Sequence, residues 1–377
     1  MALVSRPLSN RHVRLYTSVR TAHLERAHEL PPAAIVYHGR RYDFDESLTD
    51  GLELVQTSAL GAAVLLARSR VTVLEVNEPL MVSSLRMSAL AVAAVRLRGL
   101  LTGRRAAVVS YAIVNLDPWP AGPVIGPRAR LRRWSERLLA RFVWRQLDRI
   151  CYGTAAAQDL HAEVMGPSRA AETLIPALPV ALAREPGLQP DPMLVVYLGI
   201  FLQRKGIDQV LAAWPLVRRA LPDARLQVLG KGALEAEVRA AAAADESIEV
   251  VVDPPRSLIQ DVLGRAQVLA LPSQPTPIWR EQVGLPIVEA LAAGCSVVTT
   301  TETGLASWLA AHGHSVVPPK ARPEVLAEAI AEQLRARRPA EDVVADLPLV
   351  DGRLEADGWM FGRVEQTGSR PRGSVDA

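Results

Sequence analysis

The sequence predicts an α/β protein built from two Rossmann-like, doubly wound domains. From residue 193 onward, short runs rich in leucine and β-branched residues alternate with longer segments of helical period. This alternation is typical of a parallel sheet with helices packed on both faces. The chain is also 377 residues long, more than the roughly 150 residues of a typical single domain. Two domains of similar size are therefore expected.

The second half carries the clearer pattern of strands and helices. The predicted helices between its strands lie at 208–221, 233–244, 257–266 and 286–293. Because each strand is followed by a helical segment before the next one, a parallel sheet is expected. The predicted strands are LVVYL (194–198), RLQVL (225–229), IEVVV (248–252), QVLAL (267–271), SVVT (296–299) and HSVV (314–317).

The first half is less regular but is also interpreted as an α/β domain. Helices are expected at 80–101 and 128–147. Strands are expected at AAIVY (33–37), VTVLEV (71–76), AAVVSYAIV (106–114), RICY (149–152) and ETLIP (172–176).

A segment rich in proline, glycine and charge, AREPGLQPDP (183–192), is typical of an interdomain linker. We therefore expect one domain at 1–185 and a second at 186–345. The stretch 346–377, which ends TGSRPRGSVDA, is interpreted as a partly disordered tail.

Composition argues against a membrane-spanning or secreted protein. The longest apolar candidate, at about 87–95, is far shorter than the roughly 20 residues that span a bilayer. The first residues lack the apolar core and cleavage site of a secretory signal. Cys151 and Cys295 fall in apolar runs, as expected for buried thiols in a reducing compartment. We therefore expect a cytoplasmic protein.

Charge is distributed unevenly along the chain. Residues 1–185 contain 24 Lys+Arg and 16 Asp+Glu, whereas residues 186–377 contain 19 and 24. Eight arginines lie within 128–149, interleaved with Trp134, Phe142 and Trp144. The basic half could meet an anionic acceptor or the inner face of a membrane; a solvated, arginine-rich surface on a packed amphipathic helix is the simpler interpretation. No nucleic-acid partner is expected.

Lysine is rare, with three residues against 40 arginines, so its positions are informative. The stretch YLGIFLQRKGID (197–208) places Arg204 and Lys205 in a loop after a predicted strand. Two cations at the carboxyl end of a parallel strand can hold a diphosphate, although a solvated basic turn is the alternative. Lys231 follows the next strand in GKG, without the spacing of a P-loop or a dinucleotide fingerprint.

The stretch EQVGLPIVE (281–289) places Glu281 and Glu289 on either side of a predicted helix start. Pro286 suits the first helical positions and Gly294 the position past the end, so Glu289 is expected in the first turn. The helix start opens at the carboxyl edge of the sheet, where free N–H groups attract phosphate. Carboxylates beside such a site can accept hydrogen bonds from sugar hydroxyls. A first-turn glutamate with no ligand is the alternative.

These motifs resemble those of GT-B nucleotide-sugar glycosyltransferases of the retaining, glycogen-synthase-like kind. Glu281 and Glu289 match the family's E-x(7)-E motif, and PSQPTPIWREQVG is close to a family variant, P-S-x-x-x-P-x-W-x-E-Q-F-G. Gly199, Lys205 and Gly206 match the G-x(5)-K-G segment. The similarity covers residues 193 to about 335, and it implies two domains that face an interdomain cleft.

The resemblance also implies roles for individual residues. Glu281 would approach hydroxyls of the transferred sugar, Glu289 would bind ribose hydroxyls, and Arg204 with Lys205 would neutralise the leaving diphosphate. Neither a metal nor a cofactor is expected, and the nucleoside-diphosphate-sugar is the donor substrate. The other donor-binding residues that the resemblance implies are Gly199, Gln282, Val283, Gly284, Leu285 and Lys231.

The sequence departs from the family pattern in several places. Ile200 stands where an arginine is common, and Val283 replaces the customary phenylalanine. No glycine-rich loop follows VRLYTS, and SYAIVN (110–115) lies where a histidine is expected, for which His38 is a weak substitute. A closing helix that returns to the first domain is not evident after residue 346.

We therefore expect a retaining, metal-independent glycosyltransferase whose acceptor is a saccharide, a lipid-linked molecule or a small molecule. The alternative is a protein that keeps the sugar-nucleotide fold without catalysis and serves as a binding or scaffold protein. The missing histidine and closing helix favour the alternative, whereas Glu281, Glu289 and Lys205 oppose it. A nicotinamide-dependent oxidoreductase is excluded because the sequence has no glycine fingerprint.

Overall fold

The computed structural model describes residues 7–122, 125–182 and 190–362. It contains two parallel sheets, so the predicted α/β class is confirmed. The strands of the first sheet are β1 (His12–Val19), β2 (Ala34–Arg40), β3 (Leu54–Gln56), β4 (Val73–Glu75), β5 (Ala107–Ala112), β6 (Arg149–Tyr152) and β7 (Ala171–Leu174). The strands of the second sheet are β8 (Asp191–Leu198), β9 (Arg225–Gly230), β10 (Ile248–Val252), β11 (Ala266–Leu271), β12 (Ser296–Thr300) and β13 (Ser315–Val317).

Helices connect the strands in both halves. Those of the first half are α1 (Thr21–Glu29), α2 (Ala59–Arg68), α3 (Leu85–Thr102), α4 (Pro127–Gln146) and α5 (Ala155–Met165). Those of the second half are α6 (Ile207–Ala220), α7 (Glu235–Ala244), α8 (Arg256–Arg265), α9 (Leu285–Ala292), α10 (Ala306–Ala311), α11 (Pro323–Ala336), α12 (Ala340–Ala345) and α13 (Gly352–Phe361). Short 3₁₀ helices lie at Glu46–Thr49, Val82–Ser84 and Gln203–Lys205.

Both sheets are doubly wound. The first has the order β3-β2-β1-β4-β5-β6-β7 and the second the order β10-β9-β8-β11-β12-β13. All strand pairs in both sheets are parallel. The order reverses between β1 and β4 and again between β8 and β11. Open α/β sheets bind ligands at such reversals, outside the carboxyl ends of the strands.

Helices cover both faces of the first sheet, because successive residues along its strands point to opposite faces and are buried on both. On β2, Ala34 and Val36 join the core beneath α2, α3 and α4, whereas Ile35 and Tyr37 pack with Leu24 of α1. Strands β1 and β3 are absent from the sequence prediction. Strand β1, HVRLYTSV, contains polar residues throughout, and its Arg14 is nonetheless buried.

The interpretation of 346–377 as a tail is wrong for residues 352–361. They form α13, which returns to the first domain and packs Ala356 and Met360 against Val109 and Cys151. The sequence pattern conceals this helix because two of its buried residues, Arg353 and Asp357, are charged. The segments 183–189 and 363–377 lie outside the described residues, and the domain boundaries at 185 and 186 stay a prediction. No helix in the described part of the chain is long and apolar enough to cross a membrane.

Candidate functional site

The candidate site lies where the strand order of the second sheet reverses. Lys205 follows β8 in the 3₁₀ helix Gln203–Lys205, and Glu281 follows β11. Strands β8 and β11 are neighbours in the sheet. Their carboxyl ends therefore bring together two motifs that lie 76 residues apart in sequence.

Glu281 and Lys205 form an ion pair at the centre of this site. The Lys205 ammonium donates to Glu281 Oε2, and the Ser273 hydroxyl donates to the same oxygen at 3.0 Å. Both charged side chains are mostly shielded from solvent. No donor within the described residues reaches the other carboxylate oxygen, Oε1. The pair is thus held in a fixed geometry while one oxygen stays available to a ligand.

Arg204 and Lys205 both approach the ring of Trp279. The Arg204 guanidinium carbon lies 4.3 Å from the ring centroid and the Lys205 Nζ 4.9 Å from it. Backbone hydrogen bonds between Trp279 and Thr276 in both directions fix the loop that carries the ring. Cation–π contacts of this kind hold the two positive charges at the carboxyl edge of the sheet.

The loop between Glu281 and α9 presents free backbone N–H groups. Gly284, at φ 85°, precedes the first residue of α9, and no side chain caps this helix. Among the described residues, no acceptor lies within hydrogen-bond distance of the N–H groups of Gln282, Val283, Gly284 and Leu285. An unsatisfied helix start of this kind attracts anions, because the N–H groups and the helix dipole both favour negative charge.

Glu289 lies in the second turn of α9 and not in the first, because the helix begins at Leu285. Its side chain is half-buried, and the described residues offer it neither a hydrogen bond nor an ion pair. Burial raises the pKa of Glu289, against the opposing charge of Arg256. A partly desolvated carboxylate without a partner is an acceptor that ligand hydroxyls can satisfy.

Asn115 connects the first domain to this site. Its Nδ2 donates to the backbone carbonyl of Glu281 at 2.8 Å and to that of Glu302 at 3.2 Å. Arg280 Nη1 donates to the Asn115 carbonyl at 3.3 Å, and Arg280 is paired with Glu302 at 2.6 Å. Asn115 ends the segment SYAIVN, where the sequence analysis sought a histidine. The only signal for Asn115 in the sequence was its position just after a predicted strand.

The remaining predicted residues form neither a hydrogen bond nor an ion pair with the Glu281 or Lys205 side chain. Gly199 directly follows β8 and donates its N–H to the Leu229 carbonyl at 3.0 Å. The Lys231 ammonium pairs with Asp253 at 2.8 Å on the neighbouring loop, where both side chains are exposed. Val283 packs against the core of the second domain. His38 lies on β2, where its ring contacts the Thr57 carbonyl at 3.2 Å.

Replacing Gly206 with alanine is expected to destabilise the loop that carries Lys205. Gly206 has φ 74°, and an added Cβ would collide with the carbonyl oxygen of Pro272. Strain and collision together should lower the free energy of unfolding by about 2 kcal/mol or more. Gly51→Ala is the matched control, because Gly51 has φ 77° with no atom near the added Cβ. Urea unfolding checks this, and equal losses in the two variants would refute the close approach to Pro272.

Glu78 is expected to make the stability of the protein depend on pH. Its carboxylate is buried, accepts from the Val114 N–H at 3.0 Å, and lies 3.6 Å from His161 Nε2. Burial raises the pKa of Glu78 to about 7, against the hydrogen bonds from Val114 and Ile113. Burial also lowers the pKa of His161 to about 4. A carboxyl pKa raised on folding contributes stability below about pH 4.5, which is lost as the pH rises through about 7.

We therefore expect Glu78→Gln to gain stability relative to the wild type as the pH rises from 4.5 to 7. The relative gain should be on the order of 3 kcal/mol. The titration of His161 works in the opposite direction, and the double variant Glu78→Gln/His161→Gln, compared with His161→Gln alone, separates the carboxyl contribution from it. Urea unfolding across this pH range measures the difference. A pH-independent difference would mean that Glu78 ionises alike in the folded and unfolded chain.

Comparisons with known proteins agree with this architecture. Residues 192–336 match the family model described as glycosyl transferases group 1. No curated protein sequence matches the chain significantly. WaaG, a glycosyltransferase involved in lipopolysaccharide biosynthesis, is 17% identical, with a TM-score of 0.55 over 93% of this chain and 100% of WaaG.

Two further solved structures share the fold. HepE of Anabaena, in complex with UDP, is 12% identical, with a TM-score of 0.62 over 93% of this chain and 95% of HepE. An alpha,alpha-trehalose-phosphate synthase (UDP-forming) from Burkholderia vietnamiensis is 14% identical, with a TM-score of 0.55 over 92% of this chain and 98% of the synthase. At such identities the likeness establishes the two-domain fold alone.

Proposed function

We propose that this chain transfers a sugar from a nucleoside-diphosphate-sugar to an acceptor hydroxyl, since residues 192–336 match the glycosyl transferases group 1 family model and the chain has the GT-B fold. The observation that carries this proposal is the convergence of the Glu281–Lys205 pair with the free N–H groups before α9. Both lie at the carboxyl edge of the second sheet, at the reversal of strand order.

In the proposed complex the donor diphosphate lies against the N–H groups of Gln282–Leu285. Arg204 and Lys205 lie on the adjacent loop and place two positive charges near the same edge of the sheet. As the bond to the sugar breaks, negative charge grows on the leaving diphosphate. Preorganised cations and amides stabilise such charge more strongly in the transition state than in the ground state. This positive charge is the reason that the proposal includes no metal.

In this proposal the two glutamates accept hydrogen bonds from opposite ends of the donor, the transferred sugar and the ribose. The free Oε1 of Glu281 accepts from hydroxyls of the transferred sugar, while Oε2 stays bound to Lys205 and Ser273. Glu289, which lacks a partner among the described side chains, accepts from the ribose hydroxyls. Retention of configuration is the part of the proposal that rests on the E-x(7)-E resemblance. The NMR coupling of the product's anomeric proton tests it.

The acceptor is proposed only as a hydroxyl on a saccharide, a lipid-linked molecule or a small molecule. The cleft between the domains, where Asn115 meets Glu281, is the proposed place for it. Cys151 and Cys295 are buried and neither forms a disulfide with another described residue, which accords with a cytoplasmic location, also part of the proposal. UDP-sugars are the first donors to test, since HepE was solved with UDP and with UDP-glucose.

The test is the release of nucleoside diphosphate from UDP-, GDP-, ADP- and TDP-glucose, with and without EDTA. We expect slow hydrolysis of one donor, unchanged by the chelator, because water replaces the acceptor. Nucleotide binding without any sugar release would support the alternative, a binding or scaffold protein without catalysis. Loss of activity in EDTA would show that metal independence is wrong.

A further inference from the structure

Three neighbouring helices of the first domain expose apolar side chains to solvent. Helix α3 packs against both α2 and α4, and all three cover the same face of the first sheet. The residues of these helices that face away from the sheet therefore lie together on one surface of the domain. The large apolar side chains exposed there are Leu60 and Val64 on α2, Leu90, Leu97, Leu100 and Leu101 on α3, and Leu131, Trp134 and Leu138 on α4. We call this surface the α2–α4 face.

The exposed apolar positions follow the helical period. Trp134 is 62% exposed and Leu100 is 85% exposed, so neither belongs to the core. On α4 the exposed residues 131, 134 and 138 recur at intervals of three and four, and on α3 the residues 90, 97, 100 and 101 fall on one side. Spacing of this kind makes stripes on each helix, whereas isolated exposed leucines need no explanation.

The α2–α4 face is strongly basic. The three helices contain eleven arginines and one acidic residue, Glu136. Two of these arginines do not add charge to the face, because Arg98 is buried and Arg96 pairs with Asp148. The Glu136 carboxylate already forms an ion pair with Arg132 and accepts a hydrogen bond from the Trp119 indole N–H. Among the described residues, no carboxylate pairs with the exposed guanidinium groups of Arg128, Arg130, Arg141 and Arg145.

This combination fits an anionic lipid surface better than it fits another protein copy. Two copies joined through the α2–α4 face would bring unpaired arginines against arginines, which is repulsive. The segments outside the described residues offer little apolar cover: 363–377 contains two valines and 183–189 one leucine as larger apolar side chains, and 1–6 contains only Met1, Leu3 and Val4. A bilayer with anionic headgroups supplies both an apolar interior and negative charge.

We propose that the α2–α4 face docks on anionic lipid bilayers. Leu131, Trp134 and Leu138 enter the headgroup region, where tryptophan is favoured. The unpaired arginines of α4 contact lipid phosphates. Helix α4 is joined to the candidate site through the segment after β5, because Arg133 donates to the Trp119 carbonyl and Glu136 accepts from the Trp119 indole N–H, four residues beyond Asn115. Lipid docking does not depend on sugar transfer, so an experiment can refute either of these two proposals and leave the other standing.

Co-sedimentation of the full chain with vesicles tests this proposal. We expect binding to vesicles of phosphatidylglycerol and phosphatidylcholine, little binding to phosphatidylcholine alone, and weaker binding at high salt. The variant Leu131→Glu/Trp134→Glu/Leu138→Glu should bind about tenfold less tightly or worse. Leu349→Glu is the matched control, because Leu349 is fully exposed between α12 and α13.

A second pair of variants isolates the charge. Arg141→Glu/Arg145→Glu should weaken binding to anionic vesicles, whereas Arg219→Glu, at the exposed end of α6, should not. Since all these residues are exposed, near-ultraviolet circular dichroism should match the wild type. No wild-type sedimentation, or sedimentation unaffected by the triple variant, would overturn the proposal. A concentration-dependent dimer that the triple variant abolishes would instead assign the α2–α4 face to a second copy.

Discussion

Replacing Glu281 with glutamine, or Lys205 with methionine, is expected to lower the rate of sugar release from the donor by about a hundredfold to a thousandfold. The expectation follows from the ion pair at the centre of the site. Glu281 Oε2 accepts from both Lys205 and Ser273, so either substitution leaves the remaining partner without its counter-charge. The ammonium that should stabilise the leaving diphosphate is then lost or misplaced.

The effects of the two substitutions on the rate of sugar release should not be additive. Residues that act as a unit lose most of their effect once either is removed, so the double variant should be nearly as active as the worse single variant. The surface pair Glu328–Arg335, at 2.8 Å on α11, is the matched control, and its removal should leave the rate unchanged. Steady-state kinetics of nucleotide release measure all variants. Additive losses would mean that Glu281 and Lys205 act separately.

Replacing Arg353 with methionine is expected to lower the free energy of unfolding by about 3–5 kcal/mol. Arg353 pairs with Glu75 of β4, and Asp357 pairs with Arg14 of β1 at 2.8 Å, all four side chains being buried. Burial alone would lower the pKa of Arg353, but the charge of Glu75 raises it above its usual value. Without Arg353, the buried Glu75 keeps only Arg14 as a counter-charge, at 3.4 Å.

A second substitution separates lost charge balance from lost packing. Arg353→Met/Glu75→Gln should be more stable than Arg353→Met, because no uncompensated carboxylate is left inside. Arg335→Met, on the exposed surface of α11, should change stability by no more than about 0.5 kcal/mol. Urea unfolding gives the comparison. A loss in Arg353→Met no greater than in Arg335→Met would show that α13 is not anchored by this network.

The second domain could be predicted from the sequence because its strands are short, apolar and separated by helical segments. Strand β10 coincides with the predicted 248–252, and the remaining five strands differ by a few residues at their ends. The first domain was harder, because β1 contains arginine, histidine and tyrosine and α13 buries two charges. Hydrophobic periodicity does not reveal charged residues that pair with each other inside the protein.

The candidate site was likewise predictable from the sequence only in part. Two local motifs identified Glu281 and Lys205, and the parallel topology explains why they meet. Asn115 could not be found from a motif, because its role is a contact between distant segments. Ser273 lies within the motif PSQPTPIWREQVG, but the motif alone does not reveal its hydrogen bond to Glu281. A helix that starts at Pro286 would hold Glu289 in its first turn. Because α9 begins one residue earlier, at Leu285, Glu289 lies in the second turn.

The most direct test of the donor site is isothermal titration of UDP, GDP, ADP and TDP into the wild type and Glu289→Ala. We expect one nucleotide to bind and the variant to bind it at least about tenfold more weakly, since about 1.4 kcal/mol or more of hydrogen bonding to the ribose is lost. Glu332→Ala, on the exposed side of α11, should bind like the wild type. Failure of all four nucleotides to bind, or equal binding by Glu289→Ala, would contradict the assignment of this site to a nucleotide-sugar donor.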